Sequence, residues 1–456
     1  MSPFKMNNLG IPPLAGLCSY EEAIKTGYSV EHNVNLLKRY NFVKKKLVDI
    51  YAAHLACTPE WEVKCAFSLH MWLDAEHSSN LRKRVSEMRE PPLGMDKVPD
   101  DKLELLIEEV IRAQGTLELL TGIYCVVKPA MLSSLRKHVS DTNPVADHPT
   151  YRMLKQMITE EEEMIAWGEQ AVKALILSQE DHTKSTSWTT HLQTFLNQAG
   201  GIHGDPLLAK SVTSAKVVAR YDGNPYEMDA KPQRDTRFTD NFNTSAKIDE
   251  HYRNDQLQAD ERVFALIYKR LREMDVPEWM GPIIYKTKGK PWEYYHDLSR
   301  QQWDESRHAM LGEIGMYLCG VEYYKYPIDL KSSLTLNTMY SPKEAHAVLW
   351  GIEQMLMNKE TGKRWEWLIA KKSNIPYGEL LQDYDWADEV LHAQIGRKWL
   401  IPEFSSQEEL NEYAEKTMTS WRECFADTTH KMSEHQEWWA DFVKEARQHL
   451  DKSGVA

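Results

Sequence analysis

Residues 301–313 read QQWDESRHAMLGE and residues 385–397 read DWADEVLHAQIGR, and these two stretches are the most informative in the chain. Each contains a glutamate followed three positions later by a histidine. Residues three apart on an α-helix lie on one face, about one turn from each other, so both side chains can reach one cation. The spacing predicts two helices that each carry part of a metal site.

A single glutamate–histidine pair of this kind is weak evidence, because the chain has 68 acidic residues and 17 histidines. Chance alone gives roughly 2.5 such pairs in this composition. Asp74 with His77 and Glu293 with His296 share the spacing. A second acid directly before the first lowers the chance expectation to about 0.4, and the two quoted stretches both have it. The doubled acid therefore makes these two motifs informative.

The remaining sequence predicts an all-α fold, since apolar residues recur at helical spacing and alternating strand patterns are scarce. Runs rich in Gly, Ser, Thr, Asp and Asn predict a connector at residues 179–254. The connector separates a helical block at 20–178 from a second block at 255–402, and an amphipathic helical tail follows at 403–456. The second and fourth helices of both blocks are predicted to begin at prolines, which indicates a duplicated four-helix bundle.

The second block resembles the ferritin-like di-iron carboxylate superfamily, in which two bundle helices each give a Glu-x-x-His and the other two each give one carboxylate. The resemblance implies two ferritin-like four-helix bundles in tandem, the first of them degenerate. It also implies lone carboxylates at Glu273, which is 32 residues before Glu305, and at Glu353, which is 36 residues before Glu389. The implied metal ligands are Glu273, Glu305, His308, Glu353, Glu389 and His392.

The two lone carboxylates differ in their surroundings. Glu353 lies within the apolar run AVLWGIEQMLMN, where an unpaired carboxylate is costly and a metal partner is expected. Glu273 falls off the apolar face of its predicted helix, so Glu261 is kept as the alternative ligand. Glu305, Glu353 and Glu389 are the expected catalytic carboxylates.

The resemblance also implies a layer of residues around the ligands. Asp304 and Asp388 would each accept a hydrogen bond from a ligand imidazole and so fix its tautomer. Arg307 matches the superfamily form D-E-x-R-H, whereas the second motif has Leu391 at the equivalent position. This difference predicts an unbalanced network around the two motifs.

The first block lacks the same ligand pattern. It has Asp74 and His77, but no acid at 40–44 or 125–127, where lone carboxylates would be needed. The acidic run from Glu160 to Glu163 is interpreted as a solvated helix face. We therefore predict a metal-free bundle that serves packing, pocket shape or oligomerisation.

Composition and charge exclude several function classes. The net charge of −13 disfavours nucleic acid and anionic lipid as partners. No stretch has the ~20 consecutive apolar residues of a membrane-spanning helix, and the first residues do not have the pattern of a secretory signal. A cytoplasmic protein without membrane association is expected.

The resemblance implies a non-haem di-iron oxygenase or oxidase that uses O2 to oxidise a small organic substrate. Two iron ions are the implied cofactor, with a Mn/Fe pair as an alternative because the ligands suit both metals. No flavin or nucleotide motif is found, so any electrons required come from a separate donor or from the substrate. Iron storage and a purely structural helical protein remain alternatives, and the apolar tail allows a homodimer.

Overall fold

The computed structural model describes residues 8–89, 94–211, 217–243, 245–427 and 437–453. Within these ranges the protein is helical and has no strands, which confirms the all-α prediction. None of the described helices is long and apolar enough to cross a lipid bilayer.

The α-helices vary in length from one turn to more than seven turns. In chain order they are α1 (Tyr20–Ala23), α2 (Val30–His54), α3 (Trp61–Glu87), α4 (Asp101–Val110), α5 (Thr116–Leu120), α6 (Lys128–Asp141), α7 (His148–Leu175), α8 (Gln179–Gln198), α9 (Pro206–Ser211), α10 (Ile248–Arg253), α11 (Ala259–Leu271), α12 (Asp275–Lys286), α13 (Trp292–Leu318), α14 (Lys331–Met339), α15 (Pro342–Leu356), α16 (Lys363–Lys371), α17 (Pro376–Leu400), α18 (Gln407–Asp427) and α19 (Trp439–Ser453).

Short turns of other helix types connect some of these helices. A π-helical turn at Thr121–Val127 joins α5 to α6, and a 3₁₀ turn at Arg272–Met274 joins α11 to α12. The second of these junctions matters for function, because Glu273 is its central residue.

Local sequence signals set the starts of the helices that carry the predicted ligands. Pro342 and Pro376 are the first residues of α15 and α17, where a proline loses no helical hydrogen bond. Ser341 and Glu344 form a capping box at the start of α15, each side chain bonding the backbone N–H of the other. The start of α17 at Pro376 confirms the proline-initiated fourth helix that the sequence predicts for the second block.

The chain divides into two compact units that differ from the predicted blocks. The first unit comprises the chain up to Leu47 together with Leu73–Tyr226, and the second comprises Val48–Trp72 together with the chain from Glu227. Residues 48–72 therefore belong with the second unit, although the sequence assigned them to the first block. The 20-residue helix α8 also lies within the stretch predicted to be a connector.

In the second unit, α13 packs against α11, α12 and α17, and α15 packs against α12 and α17. Two glycines allow close approach of these helices. A Cβ at Gly312 of α13 would lie 2.2 Å from the backbone N of Leu271, and a Cβ at Gly396 of α17 would lie 2.4 Å from Cδ1 of Trp350. The helices that carry the predicted ligands are thereby held together at short distance.

The described part of the predicted tail packs within the second unit. Helix α18 contacts α14 and α15. Trp438, Trp439 and Phe442 are buried beside Tyr268 in a hydrophobic cluster of this unit. Residues 428–436 and 454–456 of the predicted tail lie outside the described residues.

Candidate metal centre

The six ligands implied by the sequence come together in the interior of the second unit. The ring centroids of His308 and His392 are 5.9 Å apart. Four elements supply these ligands: the 3₁₀ turn between α11 and α12, and helices α13, α15 and α17. In chain order the ligands are Glu273, Glu305, His308, Glu353, Glu389 and His392.

Four of these residues form one potential metal position, which we call position A: Glu305, Glu353, Glu389 and His392. All four are buried, and one ligand atom from each lies within 4.8 Å of the others. Nδ1 of His392 is 3.1 Å from Oε1 of Glu305 and 3.4 Å from Oε2 of Glu389. Three carboxylates and one imidazole are a ligand set suited to iron or manganese.

A second potential position, position B, consists of Glu273, His308 and Asp385. Nδ1 of His308 is 3.4 Å from Oε2 of Glu273 and 3.6 Å from Oδ1 of Asp385. The sequence reasoning missed Asp385, although it lies four residues before Glu389 on the same helix face. That spacing, in a helix already known to carry a ligand, is the signal that could have found it.

Glu305 lies between the two positions. Its Oε1 is 3.1 Å from Nδ1 of His392, and its Oε2 is 3.6 Å from Nδ1 of His308. One carboxylate oxygen therefore faces each imidazole, as a carboxylate that bridges two metal ions requires.

Several potential ligand atoms are buried without a hydrogen-bond partner. They are Oε2 of Glu273, Oε2 of Glu353, Oε2 of Glu389, Nδ1 of His308 and Nδ1 of His392. Buried polar atoms are nearly always hydrogen-bonded, because an unsatisfied group costs about 1–3 kcal/mol. Five such atoms around one centre fit a bound cation that would satisfy them together.

Two aspartates hold the outer nitrogens of the imidazoles. Nε2 of His308 is 3.2 Å from Oδ2 of Asp388, and Nε2 of His392 is 3.4 Å from Oδ2 of Asp304. Each aspartate thus contacts the histidine of the other motif. A carboxylate only accepts hydrogen bonds, so Nε2 of each imidazole donates. Burial acts to lower the pKa of His308 and of His392, but the hydrogen bonds to Asp388 and to Asp304 raise it well above the usual value, so a metal ion at Nδ1 would replace a proton.

Arg307 balances this network, contrary to the asymmetry predicted from Leu391. Its guanidinium contacts Asp304 and donates to Oδ2 of Asp388 at 2.7 Å. One arginine therefore serves both aspartates, and the second motif does not need its own. Burial opposes ionisation of Asp304, yet the hydrogen bond from His392 and the charge of Arg307 lower its pKa to about 2.

Burial and charge shift the pKa values of the two carboxyl groups that face each other at position A in opposite directions. Burial raises the pKa of Glu353 well above its usual range, and the negative charge of Glu389 adds to this effect. Burial also acts to raise the pKa of Glu389, but the positive charge of Lys363 lowers it well below the usual value. Without a metal ion, Glu353 therefore takes up a proton more readily than Glu389, which is ionised.

Two buried cations beside the centre were also missed. Arg270 contacts Asp385 and lies 2.9 Å from Oε1 of Glu273, and Nζ of Lys363 is 2.8 Å from both Asp385 and Glu389. Arg270 lies on the apolar face of α11, which is a signal that the sequence offered. Lys363, the first residue of α16, carried no comparable signal.

Glu261, the alternative to Glu273, pairs with a helix of the tail instead. Its Oε2 is 3.2 Å from Nη2 of Arg447, and its Oε1 accepts a 3.4 Å hydrogen bond from Trp439. The structure therefore places Glu273, and not Glu261, beside the other predicted ligands.

The first unit contains a related cluster in which lysines occupy the interior. Lys44 of α2 contacts both Asp74 of α3 and Glu161 of α7, and Nζ of Lys128 is 3.0 Å from Oδ2 of Asp74 and 3.4 Å from Oε1 of Glu161. These four side chains are 0% exposed. Two ammonium groups thus pair with two carboxylates. Asp74, His77 and Glu161 nevertheless lie close enough together to hold a metal ion, and Oε2 of Glu161 and Nδ1 of His77 are buried without a hydrogen-bond partner, so the metal-free first block stays a prediction.

The protonation of this cluster agrees with internal ion pairing. Burial acts to raise the pKa of Asp74, but the charges of Lys128 and Lys44 lower it to about 2. Burial, and then the charge of Lys44, lower the pKa of His77, so its imidazole is neutral at pH 7. His77 contacts Glu160 through Nε2.

The interpretation of the acidic run as a solvated face is wrong for Glu161. Glu162 and Glu163 are exposed, whereas Glu161 is fully buried against Lys44. A run of four acids on a helix must turn one member towards the interior, and here two lysines from other helices neutralise that member. The lysine partners are distant in sequence, so the run alone could not reveal the burial.

No protein-family model, no curated protein and no solved structure matches this chain. The geometry of the two clusters is therefore the basis for any functional conclusion.

Proposed function

We propose that the protein is a non-haem di-iron carboxylate enzyme that uses O2 to oxidise a small organic substrate. The proposal rests on one observation: five buried ligand atoms without hydrogen-bond partners converge in this unit. They belong to the two helices with the D-E-x-x-H motif and to two other segments of the chain. A ferritin-like four-helix bundle formed by α11–α12, α13, α15 and α17 accounts for this arrangement.

The residues present fit a pair of transition-metal ions. Four glutamates and two imidazoles would hold them, with Glu305 shared between the two positions. Two ferrous ions held here would supply two of the four electrons that reduce O2 to water, and the substrate or a separate donor would supply the other two. The ligands are hard oxygen and imidazole donors without cysteine, which favours iron or manganese over a closed zinc site.

The protein's own residues prepare the centre for chemistry. Asp304 and Asp388 fix both imidazoles with Nδ1 pointing inwards, so the two rings need not reorient when metal binds. Gln301 donates a 3.3 Å hydrogen bond to Oε1 of Glu353, and Oε2 of Glu353 is buried without a hydrogen-bond partner. The pKa of Glu353 and of both imidazoles is raised, so metal ions compete with protons at these groups and metal affinity should fall as the pH falls.

Burial of the centre supports oxidation chemistry over simple metal buffering. Glu305, Glu353 and Glu389 are each 2% exposed and His392 is 0% exposed. Such a site excludes bulk water, which protects reactive species from side reactions. An organic substrate would have to be small to reach these groups.

Iron loading and reaction with O2 test the proposal. Anaerobically loaded protein should contain about two iron ions per chain and should show a transient absorbance band when mixed with O2. His308→Ala should remove both properties, and the matched variant His77→Ala in the first unit should keep them. Protein that binds no iron contradicts the proposal, and iron in large excess over two per chain would indicate storage instead.

A further inference from the structure

Lys363 places a fixed positive charge inside the candidate metal centre. Its side chain is fully buried, and its Nζ lies 2.8 Å from Oε1 of Glu389. The same ammonium lies 2.8 and 3.0 Å from the two carboxylate oxygens of Asp385 and 3.9 Å from Oε1 of Glu273. It therefore contacts ligand groups of both positions.

The two carboxylates in the middle of the centre are consequently not equivalent. Glu305 directs one oxygen to each imidazole, as described above. Glu389 directs Oε2 to Nδ1 of His392 at position A, but its Oε1 is held by Lys363. The oxygen with which Glu389 would join position B is occupied by an ammonium group.

Arg270 also compensates the negative charge of the carboxylates at position B. The guanidinium contacts Asp385 and lies 2.9 Å from Glu273, so both acids of position B are already paired with a cation. At position A, by contrast, Glu305 and Glu353 have no lysine or arginine among their ion-pair partners in the described residues. A divalent ion at position B would approach two positive charges, which repel it strongly in a buried site.

We propose that Lys363 imposes an order on metal binding. The first metal ion binds at position A, and a second binds at position B only when the ammonium of Lys363 leaves Oε1 of Glu389. This inference rests on the proposed di-metal centre and adds an order of loading to it. Lys363 acts as a positioning residue, because it acts through Glu389 and Asp385.

Anaerobic titration with Mn2+ alone, followed by electron paramagnetic resonance, tests the order of binding. In the wild-type protein one equivalent should give the spectrum of isolated Mn2+, and a second equivalent should give the spectrum of a coupled pair. The two dissociation constants should differ by at least about tenfold, because a neighbouring charge in a buried site changes affinity by that much or more.

Variants of α16 separate the charge of Lys363 from its packing. Lys363→Met removes the charge and keeps an unbranched side chain that is one atom shorter. It should lower the second dissociation constant at least about tenfold and give the coupled spectrum already at one equivalent. Lys363→Arg keeps the charge and should retain the two-step titration. Lys371→Met changes an exposed lysine on the same helix and should leave both constants unchanged.

The outcomes distinguish this inference from the proposed function. A wild-type titration with two equal constants, or with a coupled spectrum from the first addition, overturns the sequential order while leaving the di-metal centre in place. An unchanged second constant in folded Lys363→Met also overturns it. If Lys363→Met does not fold, the wild-type titration alone decides. Wild-type protein that binds neither Mn2+ nor Fe2+ overturns the di-metal proposal itself.

Discussion

Replacing Lys44 with methionine removes one of the two ammonium groups from the buried cluster of the first unit. In the wild-type protein Lys44 and Lys128 balance Asp74 and Glu161, and all four side chains are 0% exposed. In the variant, Lys128 alone faces two carboxylates. One negative charge is left in the interior without a compensating cation.

The expected loss in the free energy of unfolding follows from this count of charges. Breaking a buried ion pair by removing one partner costs about 3–5 kcal/mol, because the remaining charge stays desolvated. Asp74→Asn should cost a similar amount with the opposite excess charge. The double variant keeps one lysine, Lys128, and one carboxylate, Glu161, so its cost should fall short of the sum of the two single costs by at least about 2 kcal/mol.

Urea unfolding of the metal-free protein measures these differences. Lys137→Met, which removes a half-exposed lysine paired with Asp141, is the control and should change the free energy of unfolding by no more than about 0.5 kcal/mol. A cost below about 1 kcal/mol for Lys44→Met, or single costs that simply add in the double variant, would refute the charge-balance argument.

The same cluster predicts a pH dependence. The pKa of Asp74 is lowered to about 2 in the folded protein, compared with about 3.9 in an unfolded chain. Its stabilising contribution is therefore complete above the unfolded value and is lost as the pH falls from about 4 towards 2. The stability advantage of the wild-type protein over Asp74→Asn should shrink across this interval, and an advantage that stays constant would contradict the assignment.

Three further predictions concern the second unit and the metal ions proposed for it. Asp304→Asn should weaken iron binding about 10–100-fold in an equilibrium competition assay, since it loosens the imidazole of His392, and an unchanged affinity would contradict the role of Asp304. Glu353→Gln should reduce bound iron from about two ions to about one or fewer by elemental analysis, and full occupancy would remove Glu353 from the ligand set. Iron at about 100 times its dissociation constant should stabilise the wild-type protein by about 2.7 kcal/mol, seen as a rise in Tm, whereas no rise would show that iron does not bind the folded state preferentially.

The sequence alone predicts those site residues and helix starts whose signal lies within a few neighbouring residues. Glu305 with His308 and Glu389 with His392 share a helix face because three residues make nearly one turn, so their pairing needs no knowledge of the fold. The resemblance added Glu273 and Glu353, which the structure places beside those pairs. Helix starts at prolines are local in the same way.

The groups that the sequence could not predict are those whose partners lie far along the chain. Lys363 meets Glu389 across 26 residues, and Lys44 meets Glu161 across 117 residues. A lysine at a helix start or in a charged helix usually points to solvent, so only the tertiary structure shows that these two are buried. Arg307 shows the same limit, since its contact with Asp388 joins two helices.

Anomalous diffraction at the iron edge, from crystals of the anaerobically iron-loaded protein, tests the central claim most directly. We predict two anomalous peaks about 3.5–4 Å apart, with Glu305 between them and Nδ1 of His308 and of His392 each directed at one peak. The absence of any peak among these residues, or a peak beside Asp74 in the first unit instead, would contradict the account.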